Sequence, residues 1–226
     1  MEKKIKAIFF DLDNTLYPTR YYAKLARENA IKNMIRYGLK TTQRESLEEL
    51  DRIIKKYGSN YQFHFDKLLN KISKNQKHKE KIIAAGIIAY HKTKRKIKLY
   101  KNVKKVLKIL KNKYKLYLVS EGIKKKQWEK IIRLGIEKYF DDFFITAKKT
   151  KKFYKQLLKK LTLKKENVLM VGDHPIKDWK IPKQLGIRII KIKNKKYLAD
   201  AAEKNYDFLE ILKKIREDEK DDRRRK

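Results

Sequence analysis

The chain alternates short apolar runs with longer segments of mixed polarity, and the spacing of the apolar positions changes along its length. Residues 5–10, IKAIFF, are apolar apart from Lys6, the pattern of a strand buried on both faces. From residue 17 to about 92 nothing reads as a strand. Helices are predicted there near 19–37, 43–57, 61–73 and 77–92, with Gly38 and Gly58 at the places where helices stop. Ile31, Met34, Ile35 and Leu39 recur at the spacing of one buried helical stripe.

After Lys96 the rhythm changes. An amphipathic helix carrying Val103, Val106, Leu107 and Leu110 leads to a strand over 114–119. A helix over 123–134, a short strand within 140–146, a helix over 151–161 and a strand over 167–171 follow, then a helix near 177–185, a strand over 187–192 and a last helix near 206–217. Strands alternating with helices imply a parallel sheet with crossover helices, and the first strand is expected to join it. The predicted fold is therefore α/β. A Rossmann-like core is built from residues 1–16 and 95–217, an all-helical cap is inserted over 17–94, and residues 218–226 form a flexible charged tail.

Composition narrows the function. A chain of 226 residues can hold a core domain and a smaller one. No run of about 18 uncharged apolar residues exists, so no transmembrane helix is expected. The first apolar stretch is cut by Asp11, too early for a secretion signal, and a cytoplasmic protein without membrane partners is expected. The absence of cysteine excludes disulfides, thiol catalysis and cysteine-bound zinc. Lys and Arg number 63 against 27 Asp and Glu, a net charge of +36. The lysines run from end to end rather than gathering on one segment, and Ile, Tyr and Asn are abundant too. That fits a genome-wide bias better than a selected nucleic-acid site. The field would still attract phosphorylated small molecules.

The candidate chemistry lies at predicted strand ends, where parallel sheets bind ligands. The first strand ends in Asp11-Leu12-Asp13, the strand LYLV in Ser120-Glu121-Gly122, and NVLMV in Gly172-Asp173 with Asp178 beyond. Extended geometry sends Asp11 and Asp13 to the same side, about 6–7 Å apart along the strand. Two such carboxylates cannot both be buried and charged without a counterion, and a hard divalent cation suits oxygen ligands.

Asp11-Leu12-Asp13-Asn14-Thr15-Leu16 resembles the first motif of the haloacid dehalogenase superfamily of phosphatases. Val119-Ser120 resembles its second motif, and Val171-Gly172-Asp173 with Asp178 its fourth. The order, the spacings and a helical insertion straight after the first motif match as well. The third motif departs from the family: its prolines are absent from Ala147-Lys148-Lys149-Thr150-Lys151-Lys152-Phe153-Tyr154. Registering Tyr154 as that motif's aromatic places the phosphate-binding lysine at Lys148, with Lys149, Lys151 and Lys152 as near alternatives. Glu121 stands where the family commonly has Asn or a small residue.

The resemblance implies a phosphoric monoester hydrolase. Asp11 would be the nucleophile that becomes phosphorylated, and Asp13 the acid and base. Ser120 and Lys148 would bind phosphate. Magnesium would be held by Asp11, the backbone carbonyl of Asp13 and Asp173, with Asp178 as a further ligand or as a residue that orients the ligands. The helical cap and the DNTLY sequence resemble archaeal phosphatases of small metabolites, which implies a substrate such as glyceraldehyde 3-phosphate or phosphoglycolate. Two alternatives stay in view: a 2-haloacid dehalogenase-type hydrolase, against which Asp13 argues, and a non-catalytic, basic nucleic-acid-binding protein on the same scaffold. No specific nucleic-acid partner is expected, and the oligomeric state is open between monomer and homodimer.

Overall fold

The computed structural model describes residues 5–75, 77–192 and 207–224. The chain divides into two compact units, one of residues 1–19 and 98–226, the other of residues 20–97.

Among the described residues the first unit is built on a five-stranded sheet in the order β3-β2-β1-β4-β5. The strands are β1 (Ala7–Phe10), β2 (Lys115–Glu121), β3 (Asp142–Thr146), β4 (Val168–Gly172) and β5 (Arg188–Lys191), and every pairing is parallel. β1 is central. Phe10 aligns with Leu118 on one side and Val171 on the other, so the residues that follow β1 are flanked by the ends of β2 and β4.

All of β1 is buried, which explains its unbroken apolar run. Ala7 and Phe9 pack with Val119, Met170, Tyr154 and Leu157 in one cluster. The Phe10 ring meets Phe140 and Phe208, at centroid distances of 6.2 Å each. Burying such a side chain contributes roughly 1.5–3 kcal/mol, so both faces of the central strand anchor the sheet. The crossover helices include α5 (Val103–Lys111), α6 (Lys124–Leu134) and α7 (Lys151–Lys160). Val103, Val106, Leu107 and Leu110 form the buried stripe of α5.

Two stretches differ from the sequence reading. The helix expected near 177–185 is a π-helical turn, Pro175–Lys180, followed by one short α turn, α8 (Ile181–Gln184). The last helix, α9 (Leu209–Arg224), runs on through residues read as a flexible tail. Its Lys, Arg and Glu are good helix formers, and Glu210 pairs with Lys214 one turn on. The start of the expected helix, residue 206, lies outside the described residues.

Among the described residues the second unit holds four helices, α1 (Thr19–Arg36), α2 (Gln43–Tyr57), α3 (His64–Ile72) and α4 (Lys79–Lys94), with α1 beginning on the last residue of the first unit. Ile31, Met34 and Leu39 bury with Leu50, Ile53, Leu68, Leu69 and Ile82. The expected stripe is thus the core of this unit, with Ile35 packed at its edge. No helix of the described residues is long and apolar enough to cross a membrane.

Candidate active site

The polar groups gather at the C-terminal edge of the sheet because neighbouring parallel strands end together. The Asp11 amide donates to Val171 O at 3.0 Å, extending the β1–β4 pairing by one residue. Leu12 then leaves the strand, and Leu16 N bonds back to Leu12 O at 3.0 Å. Asn14 takes a left-handed conformation, φ 57°, which Asn tolerates better than most residues. This tight turn holds Asp11 and Asp13 at the edge.

Asp11 is buried. Its Oδ1 accepts from Lys149 Nζ at 2.6 Å, and its Oδ2 from Thr15 Oγ1 at 3.1 Å. Lys149 Nζ also donates to Asp178 Oδ1 at 2.8 Å. Burial, together with the charges of Asp178, Asp173 and Asp13, raises the Asp11 carboxyl well above the usual carboxylate range, against the pull of Lys149. For Lys149 burial works against the charged form, but Asp11 and Asp178 outweigh it and raise its pKa.

Asp13 meets a different environment. Oδ1 accepts from Tyr17 OH at 2.8 Å, Thr19 Oγ1 at 2.7 Å and Lys130 Nζ at 2.8 Å. Oδ2 accepts from Gln127 Nε2 and Lys130 Nζ at 2.9 Å each. Burial alone would raise its pKa; the charge and hydrogen bond of Lys130, with those of Gln127 and Thr19, hold it down at about 2. Two carboxylates two residues apart are thereby pushed in opposite directions, the arrangement expected where two acids have different tasks.

Ser120 is buried near the end of β2, and its Oγ accepts from Gln127 Nε2 at 2.6 Å. Asp173 follows β4 directly. Asp178 returns beneath that strand end on the π-helical turn. His174 caps the turn, its Nδ1 accepting from the amides of Ile176 and Lys177, while Asp178 Oδ2 accepts from the His174 amide at 3.1 Å. Gly172 makes the return possible, since a Cβ there would lie 2.5 Å from the Asp178 side chain. Carboxylate oxygens of Asp11, Asp173 and Asp178 lie within 4.8 Å of one another. This all-oxygen donor set suits a hard divalent cation, whose charge would offset three crowded carboxylates.

Asp11, Asp173 and Asp178 are thus brought together, with Asp13 and Ser120 linked through Gln127. Lys148 is not among them. It is exposed, and its amide and carbonyl bond the Thr146 hydroxyl. The buried lysine is Lys149, one residue on. Thr150 caps α7, accepting from the Phe153 amide at 3.1 Å, and the turn before it points Lys149 inward. Counting six residues back from Tyr154 gives Lys148, whereas the buried lysine stands five back. Both oxygens of Glu121 are engaged: Oε1 accepts from Lys177 Nζ at 2.6 Å and Oε2 from the Lys149 amide at 2.8 Å. Gln127 and Lys130 escaped the sequence reading. Their signal was two polar residues on the same helical stripe as the apolar Ile131 and Leu134.

The chain is similar to named proteins and to solved structures. The chain is 39% identical over 204 residues to the glyceraldehyde 3-phosphate phosphatase of Pyrococcus furiosus, covering 86% of this chain and 83% of that protein. It is 38% identical over 229 residues to the enzyme of the same name from Methanocaldococcus jannaschii, covering 95% of this chain and 100% of that protein. A crystal structure of a haloacid dehalogenase-like family hydrolase from Xanthomonas campestris superposes with a TM-score of 0.72 at 17% identity, covering 98% of this chain and 95% of that one. That likeness shows the fold. The family model for haloacid dehalogenase-like hydrolases matches residues 5–186, from the strand that presents Asp11 to the turn beyond Asp178, and the chain belongs to that family.

Proposed function

We propose that this chain is a magnesium-dependent phosphatase that hydrolyses a small phosphomonoester through an aspartyl-phosphate on Asp11. The observation that carries the reading is the split environment of Asp11 and Asp13 at one strand end. Asp11 Oδ1 contacts a buried lysine, and Asp13 sits among hydrogen-bond donors. Similarity to two archaeal glyceraldehyde 3-phosphate phosphatases over most of both lengths supports a triose or similar sugar phosphate as substrate.

In this reading an Asp11 oxygen forms a bond to phosphorus as the ester P–O bond breaks. Asp13 gives a proton to the departing alcohol, then takes one from the water that attacks the aspartyl-phosphate. The negative charge of an arriving phosphate raises the proton affinity of Asp13, and Lys130 restores the carboxylate once phosphate has left. Lys149 and Ser120 face the phosphoryl oxygens, and the charge of Lys149 offsets theirs. A magnesium ion held by Asp11, Asp173, Asp178 and the Asp13 carbonyl would supply further charge compensation.

A panel of phosphorylated metabolites, with released phosphate measured with and without magnesium, tests the proposal. Turnover of small phosphomonoesters that stops in chelator and returns with magnesium is expected. Undiminished turnover in chelator, or none on any monoester, would remove it.

A further inference from the structure

The inward stripe of α6 comprises Gln127, Lys130, Ile131 and Leu134, spaced i, i+3, i+4 and i+7. Its last two members are apolar and buried, as a helix packed on a sheet requires. Its first two are polar. Gln127 is only 2% exposed, and the Lys130 side chain is 20% exposed. Burying an amide and an ammonium costs free energy unless each finds partners, and both find Asp13. Lys130 Nζ reaches its two oxygens at 2.8 and 2.9 Å, and Gln127 Nε2 reaches Oδ2 at 2.9 Å.

Gln127 Nε2 has two further acceptors, Ser120 Oγ at 2.6 Å and Glu121 O at 3.1 Å. Its place is shaped by Gly122, whose φ of +151° suits glycine and where a Cβ would stand 3.2 Å from the Gln127 side chain. Tyr17 and Thr19 hold Asp13 from its own turn. Gln127 and Lys130 hold it from a helix more than a hundred residues away, 114 and 117 positions along the chain. A carboxylate contacted by four side chains on both oxygens has its torsions set.

We propose that Gln127 and Lys130 are positioning residues. From α6 they hold the Asp13 carboxylate in the single orientation that serves proton transfer, and Gln127 ties that orientation to Ser120 in the phosphate pocket. This role presupposes the acid–base function proposed for Asp13 above. Neither residue needs to touch the substrate. A misplacement of the order of an ångström in such a group costs on the order of 10²-fold in rate.

Lys130→Met and Gln127→Leu, each made alone and in an Asp13→Asn background, test the role. Steady-state constants are measured on an alkyl phosphate and on p-nitrophenyl phosphate. The double variants are compared by the rate of the first nitrophenol turnover, which needs little leaving-group protonation. Lys130→Met is expected to lower kcat on the alkyl ester by on the order of 10²-fold, with KM little changed and a smaller loss on the aryl ester. Lys130→Arg should recover part of the loss. In the Asp13→Asn background Lys130→Met should cost nothing further, because its target is already disabled; a helix that merely packs would cost the same in both backgrounds. Equal losses in the two backgrounds, a loss confined to KM, or no loss would overturn the assignment. If methionine unfolds the chain, Lys130→Gln carries the same comparison. Full activity of Asp13→Asn itself would instead sink the acid–base reading, so the two failures are distinct.

Discussion

Lys149 Nζ lies 2.6 Å from Asp11 Oδ1, an ion pair with side chains 2% and 9% exposed that joins the turn after β1 to the loop after β3. The same ammonium holds Asp178 at 2.8 Å. Lys149→Met would leave two buried carboxylates without their cation, and breaking a buried pair from one side costs about 3–5 kcal/mol. Both a lower Tm and loss of turnover are expected. Lys148→Met, at an exposed site, should leave stability within about 0.5 kcal/mol of wild type and turnover unchanged. Thermal melts and kcat for the two variants decide it; the reverse pattern would return the phosphate-facing role to Lys148.

Gly172 and Asp178 are a matched pair of another kind. A Cβ on residue 172 would stand 2.5 Å from the Asp178 side chain, closer than such atoms approach. Gly172→Ala should therefore push Asp178 out of the carboxylate cluster and weaken magnesium binding. Calorimetric titration with the ion, compared with wild type, reads this without any substrate. Unchanged magnesium affinity would mean that Asp178 is dispensable to the cation.

Much of this arrangement was legible in the chain, for physical reasons that differ from residue to residue. The central strand announced itself because a strand covered on both faces must be apolar throughout, and its abrupt end at Asp11 marked the edge. Asp173 and Asp178 were legible because Gly172 and a fixed spacing accompany them. A run of lysines carries no inward-or-outward signal of its own, so nothing in the sequence marked Lys149 rather than Lys148 as the buried one; the direction goes with the Thr150 cap and the Thr146 hydroxyl, local hydrogen bonds that composition does not reveal. Glu121 departs from the family's Asn or small residue, and both its oxygens are taken by partners the sequence did not reveal, Lys177 and the Lys149 amide. Gln127 and Lys130 were missed because a lysine on an amphipathic helix is read as solvated by default. The extension of α9 was missed because the run of charges from residue 218 on was read as a solvated end, although Glu219, Lys220, Arg223 and Arg224 within it are good helix formers.

The depressed pKa of Asp13 has a consequence for stability. Its folded value is about 2 against the ordinary aspartate value of 3.8, so between these values the unfolded chain binds more protons than the folded one. The stability contributed by the paired carboxylate is present above about pH 4 and is lost as pH falls toward about 2. Urea unfolding of wild type and Asp13→Asn in metal-free buffer should show wild type ahead at pH 5, with the gap narrowing as the pH is lowered through this window. A gap that stays constant would mean that Asp13 gains nothing from Lys130 in the folded state.

The two aspartates at the end of β1 should fail in different ways. Asp11→Asn should eliminate turnover, since an amide is a poor nucleophile and a poorer cation ligand. Asp13→Asn keeps its backbone carbonyl, so magnesium binding should largely survive. What it loses is proton transfer, which typically contributes about 10²–10⁴-fold. With p-nitrophenyl phosphate the leaving group needs little protonation, so phosphorylation of Asp11 should be the step least affected. Hydrolysis of the aspartyl-phosphate still needs a base for the attacking water and should slow fully. Asp13→Asn is therefore expected to release a burst of nitrophenol, then turn over slowly, with phosphate accumulating on Asp11. Rapid quenching and mass spectrometry of the peptide containing residues 7–20 can find the added phosphoryl group. An alkyl phosphate should give neither burst nor adduct at a comparable rate, because its departure needs the lost proton. Full steady-state activity of Asp13→Asn on that alkyl ester would show that the proton comes from elsewhere, and the donors gathered around Asp13 would then need another explanation.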